Sequence, residues 1–252
     1  MTSRWISTEN KPLALVMGVA NQRSIAWACV ESLIESGYDC IITYQSTRFQ
    51  GSVEKLMEGN PSIVGALACD VAQNEIPVLF ASRIPNLTNQ PIDAIVHSIA
   101  YAPMVSLNEA TWDDYAAAHH VSSYSLIQTC QHSKAKSVTT LSYLGAQRAV
   151  PNYHLMGSAK ASLESLVRGL AVEYASDTRV NAVSAGPLKT VSARGIPEFG
   201  KLSQHVAQTA PRTISAKEVA DTVAFLATKG TGITGQTIFV DGGYSSILPL
   251  RE

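Results

Sequence analysis

The chain has 252 residues, of which 46% are apolar and 15% are charged, and its formal net charge is −1. This length is sufficient to bury the core of one ordinary α/β domain, and the apolar content excludes an intrinsically disordered protein. Proteins that bind nucleic acid concentrate basic residues on one surface, so this near-neutral chain gives no reason to expect a nucleic-acid partner.

The four cysteines, Cys29, Cys40, Cys69 and Cys130, lie far apart and form no Cys-x-x-Cys pair. Their spacing favours neither a zinc site nor a disulfide framework, so we expect buried, reduced thiols and no bound metal. No apolar run reaches the ~20 residues that cross a bilayer, and residues 1–11 lack the apolar core of a signal peptide. These features predict a cytoplasmic protein with no membrane partner.

The first predicted strand, Leu13–Met17, leads through a turn of small residues into a helix that reaches about Gly37. Gly18, Ala20 and Ser24 occupy the small positions of that turn. In dinucleotide-binding proteins such a strand-turn-helix unit offers the first helix amides to a pyrophosphate. The spacing is not Gly-x-Gly-x-x-Gly, so the residues alone leave nucleotide binding and a plain strand-helix turn equally open.

Two further predicted strands, Asp39–Tyr44 and Ile63–Cys69, end in polar residues. Gln45 stands where NAD-binding units usually carry an acid and NADP-binding units a cation. Arg48 could meet a 2′-phosphate, although an exposed loop arginine is usually just solvated. Asp70 follows the third strand, where an aspartate commonly caps a short helix.

The fourth predicted strand, Ile92–Ser98, is followed by a long predicted helix, Trp112–Cys130. Ligands bind beyond the carboxyl ends of the strands in an open parallel sheet, so residues just after this strand are candidates for a site. A fifth predicted strand contains Val138 and Leu141 among β-branched threonines.

Pro151 and Asn152 give a helix-start signal after the fifth strand. Beyond them, apolar residues recur at spacings of three and four, which predicts a helix with one buried stripe. These residues are Leu155, Ala159, Leu163, Leu166 and Leu170.

Tyr153 and Lys160 lie seven positions apart at this helix, about two turns, so both are expected to face one cavity ~10 Å apart along the axis. A phenol beside a cation releases its proton more readily, and it can stabilise an oxygen that gains negative charge. A tyrosine and a lysine at this spacing are common in purely structural helices, so the pair alone does not decide the function.

The remaining chain continues the alternation of strands and helices. A sixth strand is predicted at Arg179–Ser184, where Gly186 and Pro187 then force the chain out of the sheet. A helix follows at Glu218–Thr228 and a seventh strand at Gly235–Gly243. The pattern predicts one domain over residues 1–252, an α/β doubly wound fold with a mainly parallel seven-stranded sheet.

The stretch from Ser142 to Lys160, Ser-Tyr-Leu-Gly-Ala followed by Asn-Tyr, six residues and Lys, resembles the enoyl-acyl-carrier-protein reductases. These enzymes are a branch of the short-chain dehydrogenase/reductase superfamily, whose other members place three residues between Tyr and Lys. That register would require a tyrosine at position 156, which is Met156. Ser122 and Ser123 stand where ordinary members keep an asparagine. The resemblance extends from about Leu13 to Tyr244.

The resemblance implies a Rossmann-like fold and assigns roles to individual residues. Tyr143, Tyr153 and Lys160 are then catalytic, and Ala102, Tyr143 and Tyr153 bind the substrate. His97 needs no catalytic role and is expected to be a packed core residue. The implied cofactor-binding residues are Gly18, Ala20, Ser24, Ile25, Gln45, Asp70, Val71, Ser98, Ile99, Ala100, Lys160, Leu188 and Thr190.

The implied reaction is the reduction of trans-2-enoyl thioesters by NADH in fatty-acid synthesis, with NADPH the less favoured cofactor. A carrier-protein substrate, a homotetramer and a substrate-covering segment around residues 190–210 are also implied. That segment carries few basic residues, so a coenzyme A thioester stays open as the substrate. Two other functions stay open, a short-chain ketone or alcohol oxidoreductase and a non-enzymatic NAD-binding protein.

Overall fold

The computed structural model describes residues 11–190 and 198–247, which form a seven-stranded parallel sheet between two layers of helices. The sheet order is β3-β2-β1-β4-β5-β6-β7, and every neighbouring pair is parallel. The strands are β1 (Leu13–Met17), β2 (Asp39–Tyr44), β3 (Ile63–Ala68), β4 (Ile92–His97), β5 (Ser137–Tyr143), β6 (Arg179–Ala185) and β7 (Thr237–Val240). The predicted Rossmann-like fold is confirmed.

The helices connect successive strands, as parallel pairing requires. They are α1 (Ile25–Glu35), α2 (Thr47–Met57), α3 (Ile76–Val78), α4 (Ile84–Leu87), α5 (Trp112–His119), α6 (Ser125–His132), α7 (His154–Glu173), α8 (Phe199–Thr209) and α9 (Ala216–Thr228). Short 3₁₀ turns occupy Val71–Gln73, Leu144–Ala146 and Tyr244–Ser246. None of the described helices is both long and apolar enough to cross a membrane.

The buried side chains of β1 alternate between the two faces of the sheet, as a strand buried on both faces requires. Ala14 and Val16 belong to the core beneath α1 and α9. Leu15 and Met17 belong to the core on the other face, beneath α6 and α7. The core is therefore continuous on both sides of β1.

The order of the strands in the sheet determines where the candidate site lies. The chain builds β1, β2 and β3 outward in one direction and then returns to place β4 on the other side of β1. Connections on the two sides of this switch point diverge, which leaves a crevice beyond the carboxyl ends of β1 and β4.

Three predicted helices differ from the structure, and in the last of them the predicted Glu218–Thr228 begins two residues earlier, at Ala216. The helix predicted as continuous over Trp112–Cys130 is interrupted by a π-helical segment, His120–Tyr124, and ends at His132. The helix predicted to start at Pro151 and Asn152 begins only at His154, and its entry is irregular, with positive φ at both Asn152 (61°) and His154 (35°). Tyr153 is the residue before its first turn.

The predicted substrate-covering segment lies partly outside the described residues, which omit 191–197. Its described remainder forms α8, whose Val206 is buried.

Candidate active site

A cavity of about 630 Å³ lies at the carboxyl ends of the central strands and is called the larger cavity below. The predicted cofactor residues that line it are Gly18, Ala20, Ser24, Ile25, Gln45, Asp70, Val71, Ser98, Ile99, Ala100, Lys160 and Thr190. Residues distant in the sequence are brought together here because β1 to β4 end at the same edge of the sheet.

The turn after β1 brings the backbone close to the end of β4. Gly18 adopts φ +87°, and a Cβ atom there would lie 2.2 Å from the carbonyl oxygen of Ser98, so only glycine fits. The hydroxyl of Ser24 then accepts a hydrogen bond from the amide of Trp27 at 3.0 Å, which fixes the start of α1 at the cavity. The first amides of a helix and its positive dipole end suit an anionic ligand.

The ends of β2 and β3 form another wall of the larger cavity. Gln45 lines it after β2, and Asp70 and Val71 line it after β3. The carboxylate of Asp70 also accepts a hydrogen bond from the amide of Ala72 at 3.0 Å, so Asp70 caps a short turn as well as facing the cavity.

A second cavity of about 420 Å³, called the smaller cavity, adjoins the first. Its lining includes seven predicted site residues, of which Ala102, Tyr143, Tyr153 and Leu188 do not also line the larger cavity. Leu188, predicted to bind the cofactor, therefore lies in the smaller cavity and not the larger one. The residues that line both cavities are Ile25, Ala100, Tyr101 and Thr190. Met104, Met156 and Leu202 make much of the remaining wall of the smaller cavity apolar.

The two tyrosines of the smaller cavity are in contact. The ring centroids of Tyr143 and Tyr153 lie 5.0 Å apart at an interplanar angle of 67°, an edge-to-face arrangement. A Cβ atom at Gly145 would lie 2.3 Å from Cδ1 of Tyr153, so the absence of a side chain there allows the ring its position. Among the described residues, the buried hydroxyl of Tyr143 has no hydrogen-bond partner.

Both phenols are neutral near pH 7. Burial, with a contribution from Tyr143, raises the pKa of Tyr153 above its ordinary value, and burial raises the pKa of Tyr143 to about 12. The sequence predicted that a nearby cation would ease proton release from Tyr153, but burial and the neighbouring Tyr143 both act to raise its pKa. The two hydroxyls are therefore hydrogen-bond donors.

Lys160 is buried and faces the larger cavity. Its ammonium donates a hydrogen bond to the carbonyl of Leu141 at 2.7 Å, next to the carboxyl end of β5. Burial lowers the pKa of Lys160 to about 8, and the negative charge of Glu164 opposes that shift. Tyr153 lines the smaller cavity and Lys160 the larger one, and the two cavities share four lining residues.

Glu164 is a buried residue of this region that the sequence analysis missed. Its carboxylate accepts hydrogen bonds from the hydroxyl of Ser142 at 2.6 Å and from Nε2 of Gln147 at 2.9 Å. These contacts attach the segment that carries Tyr143 to α7. An acid four positions after Lys160 lies on the same helix face, and this spacing was the available signal.

Two buried polar residues, Ser122 and His97, make hydrogen bonds around the end of β4. Ser122 donates to the carbonyl of Tyr101 at 2.7 Å and accepts from its amide at 2.8 Å. His97 is fully buried, with its ring nitrogens 3.0 Å from Thr140 Oγ1 and 2.8 Å from Ser125 Oγ. Burial and the charge of Lys160 lower the pKa of His97 to about 3, so its ring is neutral.

Known proteins match this chain over almost its whole length. The family model for enoyl-(acyl carrier protein) reductase matches residues 18–245. The enoyl-(acyl-carrier-protein) reductase (NADH) of Bacillus subtilis is 40% identical over 247 residues, which are 91% of this chain and 94% of that protein. The chain belongs to the enoyl-(acyl-carrier-protein) reductase family.

Solved structures of this reductase family have the same fold. The crystal structure of the enzyme (NADH) from Aquifex aeolicus gives a TM-score of 0.87 at 34% identity and covers 95% of this chain and 98% of its own. The reductase from Anaplasma phagocytophilum, solved in complex with NAD, gives 0.86 at 29% identity with 94% of each chain covered. The resemblance read from Ser142 to Lys160 is therefore confirmed.

Proposed function

We propose that this chain reduces the carbon–carbon double bond of trans-2-enoyl thioesters with NADH in fatty-acid synthesis. The observation that carries the proposal is the pair of neutral phenols, Tyr143 and Tyr153, in an apolar cavity that adjoins the larger cavity. A substrate oxygen that gains negative charge there meets hydroxyl donors already in place. The reaction named for the Bacillus subtilis relative supports the proposal.

The residues of the larger cavity fit NADH. Gly18 permits close approach of the backbone, and the first turn of α1 suits the pyrophosphate. Gln45 supplies no cation for a 2′-phosphate, which favours NADH over NADPH. When bound, the nicotinamide supplies a hydride, and the protein supplies orientation and electrostatics.

Tyr153 is proposed to donate a hydrogen bond to the thioester oxygen of the substrate. That bond strengthens as hydride arrives at the β-carbon and the oxygen becomes an enolate, so it stabilises the transition state more than the substrate. Tyr143 offers a second hydroxyl, and its lack of a partner among the described residues leaves that hydroxyl available to a ligand. A proton then reaches the α-carbon and completes the reduction.

Lys160 is proposed to bind the ribose hydroxyls next to the nicotinamide. Its ammonium lies at the larger cavity, and the hydrogen bond to Leu141 fixes its direction. Because Lys160 is buried, its positive charge is poorly screened and acts on the negative charge that develops in the adjoining cavity. Glu164 favours the charged form of this lysine.

We further propose that residues 1–252 form a single domain in which the segment around 190–210 covers the substrate. Phe199 and Leu202 of α8 line the smaller cavity, which supports this role. A covering segment excludes water and so strengthens the hydrogen bonds to the substrate.

The proposed reaction is tested by supplying NADH with crotonyl thioester or acetoacetyl thioester. We expect NADH oxidation and a butyryl product with the crotonyl substrate and no reduction of the acetoacetyl substrate. Reduction of the ketone alone would establish a ketone reductase. If the protein binds NADH but NADH is oxidised with neither substrate, the protein is a non-enzymatic NAD-binding protein.

Acyl carrier protein is proposed to deliver the substrate, with coenzyme A as the competing carrier. Lys201 of α8, the helix that lines part of the smaller cavity, forms an ion pair with Glu198. This pairing reduces the positive charge that α8 offers to an acidic carrier protein. We expect kcat/KM for crotonyl-carrier protein to exceed that for crotonyl-coenzyme A at low salt and to fall as salt screens the docking charges. A salt-independent preference for coenzyme A would contradict carrier docking.

Gly18→Ala is expected to weaken NADH binding about tenfold or more, because the new Cβ displaces the end of β4 at Ser98. Gly37→Ala is the matched control. Gly37 also has positive φ, +91°, but no described atom lies within 4 Å of the place a Cβ would take there, so this variant should lose stability without losing affinity. Calorimetric titration with NADH and thermal melting separate the two effects; equal affinities would contradict the close-approach role.

Finally, we propose that the protein is a cytoplasmic homotetramer. Two exposed rings of α5, Trp112 and Tyr115, stack in a row with the half-buried His119 at centroid separations of 5.7 and 4.1 Å, and such a row suits an interface. Light scattering gives the mass directly, and a monomeric mass would refute the assembly.

A further inference from the structure

The end of β3 is the wall of the larger cavity that lies farthest from the two tyrosines. Asp70 and Val71 line the larger cavity and not the smaller one. The strands β2, β1 and β4 lie between β3 and β5, which at ~4.8 Å per strand separates the two ends by roughly 20 Å. A dinucleotide that presents its nicotinamide to the smaller cavity therefore extends its adenosine half toward β3.

An ion pair lies directly behind this wall. Two guanidinium nitrogens of Arg83 lie 2.9 and 3.0 Å from the two carboxylate oxygens of Glu75, a two-point contact. Glu75 also accepts a hydrogen bond from the amide of Asp70 at 2.8 Å, and Arg83 donates one to the carbonyl of Ala68. The pair thus holds the backbone on both sides of Cys69.

A second contact fixes the far side of the same turn. Asn74 adopts φ 57° just after the 3₁₀ turn Val71–Gln73, and its side chain accepts a hydrogen bond from Gln128 of α6. The backbone that presents Asp70 and Val71 is therefore held from two directions by side chains that lie outside the cavity lining.

We propose that Arg83 and Glu75 are positioning residues that hold the Asp70–Val71 backbone in the geometry that receives the adenine half of NADH. The inference rests on the proposed function, which supplies the cofactor and its direction in the cavity. It adds that cofactor affinity also depends on Arg83 and Glu75, two residues outside the lining of the larger cavity.

The exposure and geometry of the pair favour positioning over plain stabilisation. The side chains of Arg83 and Glu75 are 32% and 30% exposed, and ion pairs this accessible contribute little to stability. A two-point contact does fix orientation. The hydrogen bonds from Arg83 also lower the pKa of Glu75, so the oxygen that accepts the Asp70 amide stays ionised.

Arg83→Met tests the inference, because it removes the guanidinium and leaves every lining residue in place. We expect the dissociation constant of ADP-ribose, the adenine-containing part of NADH, to rise about tenfold in calorimetric titrations. The KM for NADH should rise by the same factor with kcat unchanged. Reduced nicotinamide mononucleotide, which lacks the adenosine half, should keep its kcat/KM.

Lys136→Met is the matched control, because it breaks a 2.8 Å ion pair with Asp93 at a position outside both cavity linings. This control should leave ADP-ribose affinity unchanged. Wild-type affinity in Arg83→Met, or equal losses with NADH and with the mononucleotide, would overturn the inference.

Arg83→Lys keeps the charge without the two-point contact, so it should show the same selective loss even if Arg83→Met does not fold. Failure of the proposed function has a different signature. A wild-type protein that binds ADP-ribose but reduces no enoyl thioester would contradict the reaction, while the ADP-ribose comparison would still decide the positioning role.

Discussion

Tyr153→Phe is expected to lower kcat by about 10²- to 10³-fold, the range lost when one donor to a developing oxyanion is removed. The phenylalanine ring keeps the packing against Tyr143 and the close contact with Gly145, so the cavity should retain its shape. NADH affinity should stay close to the wild-type value because Tyr153 lines the smaller cavity and not the larger one. Steady-state kinetics with crotonyl thioester and calorimetric titration with NADH measure the two effects.

Tyr143→Phe is the natural comparison, since it also removes one hydroxyl from the same cavity. We expect a smaller loss of kcat than in Tyr153→Phe. A Tyr153→Phe protein with wild-type kcat would remove Tyr153 from the mechanism. A larger loss in Tyr143→Phe would exchange the two roles.

Lys160→Met is expected to raise the dissociation constant of NADH about 10- to 10²-fold, because a charge-assisted hydrogen bond contributes roughly 1.5–3 kcal/mol. Methionine keeps much of the apolar stem and removes the ammonium. Lys229→Met, at the exposed end of α9, removes a lysine outside both cavity linings and should leave NADH affinity unchanged. Unchanged affinity in Lys160→Met would contradict the ribose-binding role.

The titration of Lys160 predicts how NADH affinity depends on pH. Its pKa is lowered to about 8 by burial, so the side chain is a cation below that pH and neutral above it. Affinity should therefore be constant on the acid side and fall as pH rises through about 8. The fall should be missing in Lys160→Met; an identical pH profile in the variant would assign it to another group.

The first two strands could be predicted from the sequence because each is a short, mainly apolar run with a clear end. The predicted bounds of β1 and β2 agree with the structure, since Gly18 and Gln45 interrupt the buried runs. In a parallel sheet with helices on both faces, burial favours apolar residues at most positions of a central strand, as in β1, where all five residues are buried and apolar. The apolar composition of such a segment therefore predicts where the strand lies.

The irregular helix segments could not be predicted in the same way. The π-helical segment His120–Tyr124 has no local signal that separates it from an ordinary helix. It contains Ser122, whose hydroxyl bonds the backbone of Tyr101, a contact between residues far apart in the sequence. The irregular start of α7 likewise involves positive φ at Asn152 and His154, which only the folded turn reveals.

In the candidate site, too, some features follow from local sequence and others only from contacts between distant parts of the chain. The spacing of Tyr153 and Lys160 predicted that they would lie on one side of α7, but the other residues that line the two cavities come from strand ends far away in the sequence. The raised pKa of Tyr153 depends on burial, which spacing does not report. Glu75 and Arg83 are identified only by the assembled structure, because no sequence spacing reports their hydrogen bonds to the Asp70 amide and the Ala68 carbonyl.

The most direct test of the central claim is to trace deuterium from NADH labelled at the transferred position into the product of crotonyl thioester reduction. The proposed chemistry delivers hydride to the β-carbon, while the α-carbon takes its proton from the protein or from solvent. Mass spectrometry and NMR should therefore find one deuterium at the β-carbon of a butyryl thioester and none at the α-carbon. Label at the α-carbon, or no label in the product, would contradict the mechanism.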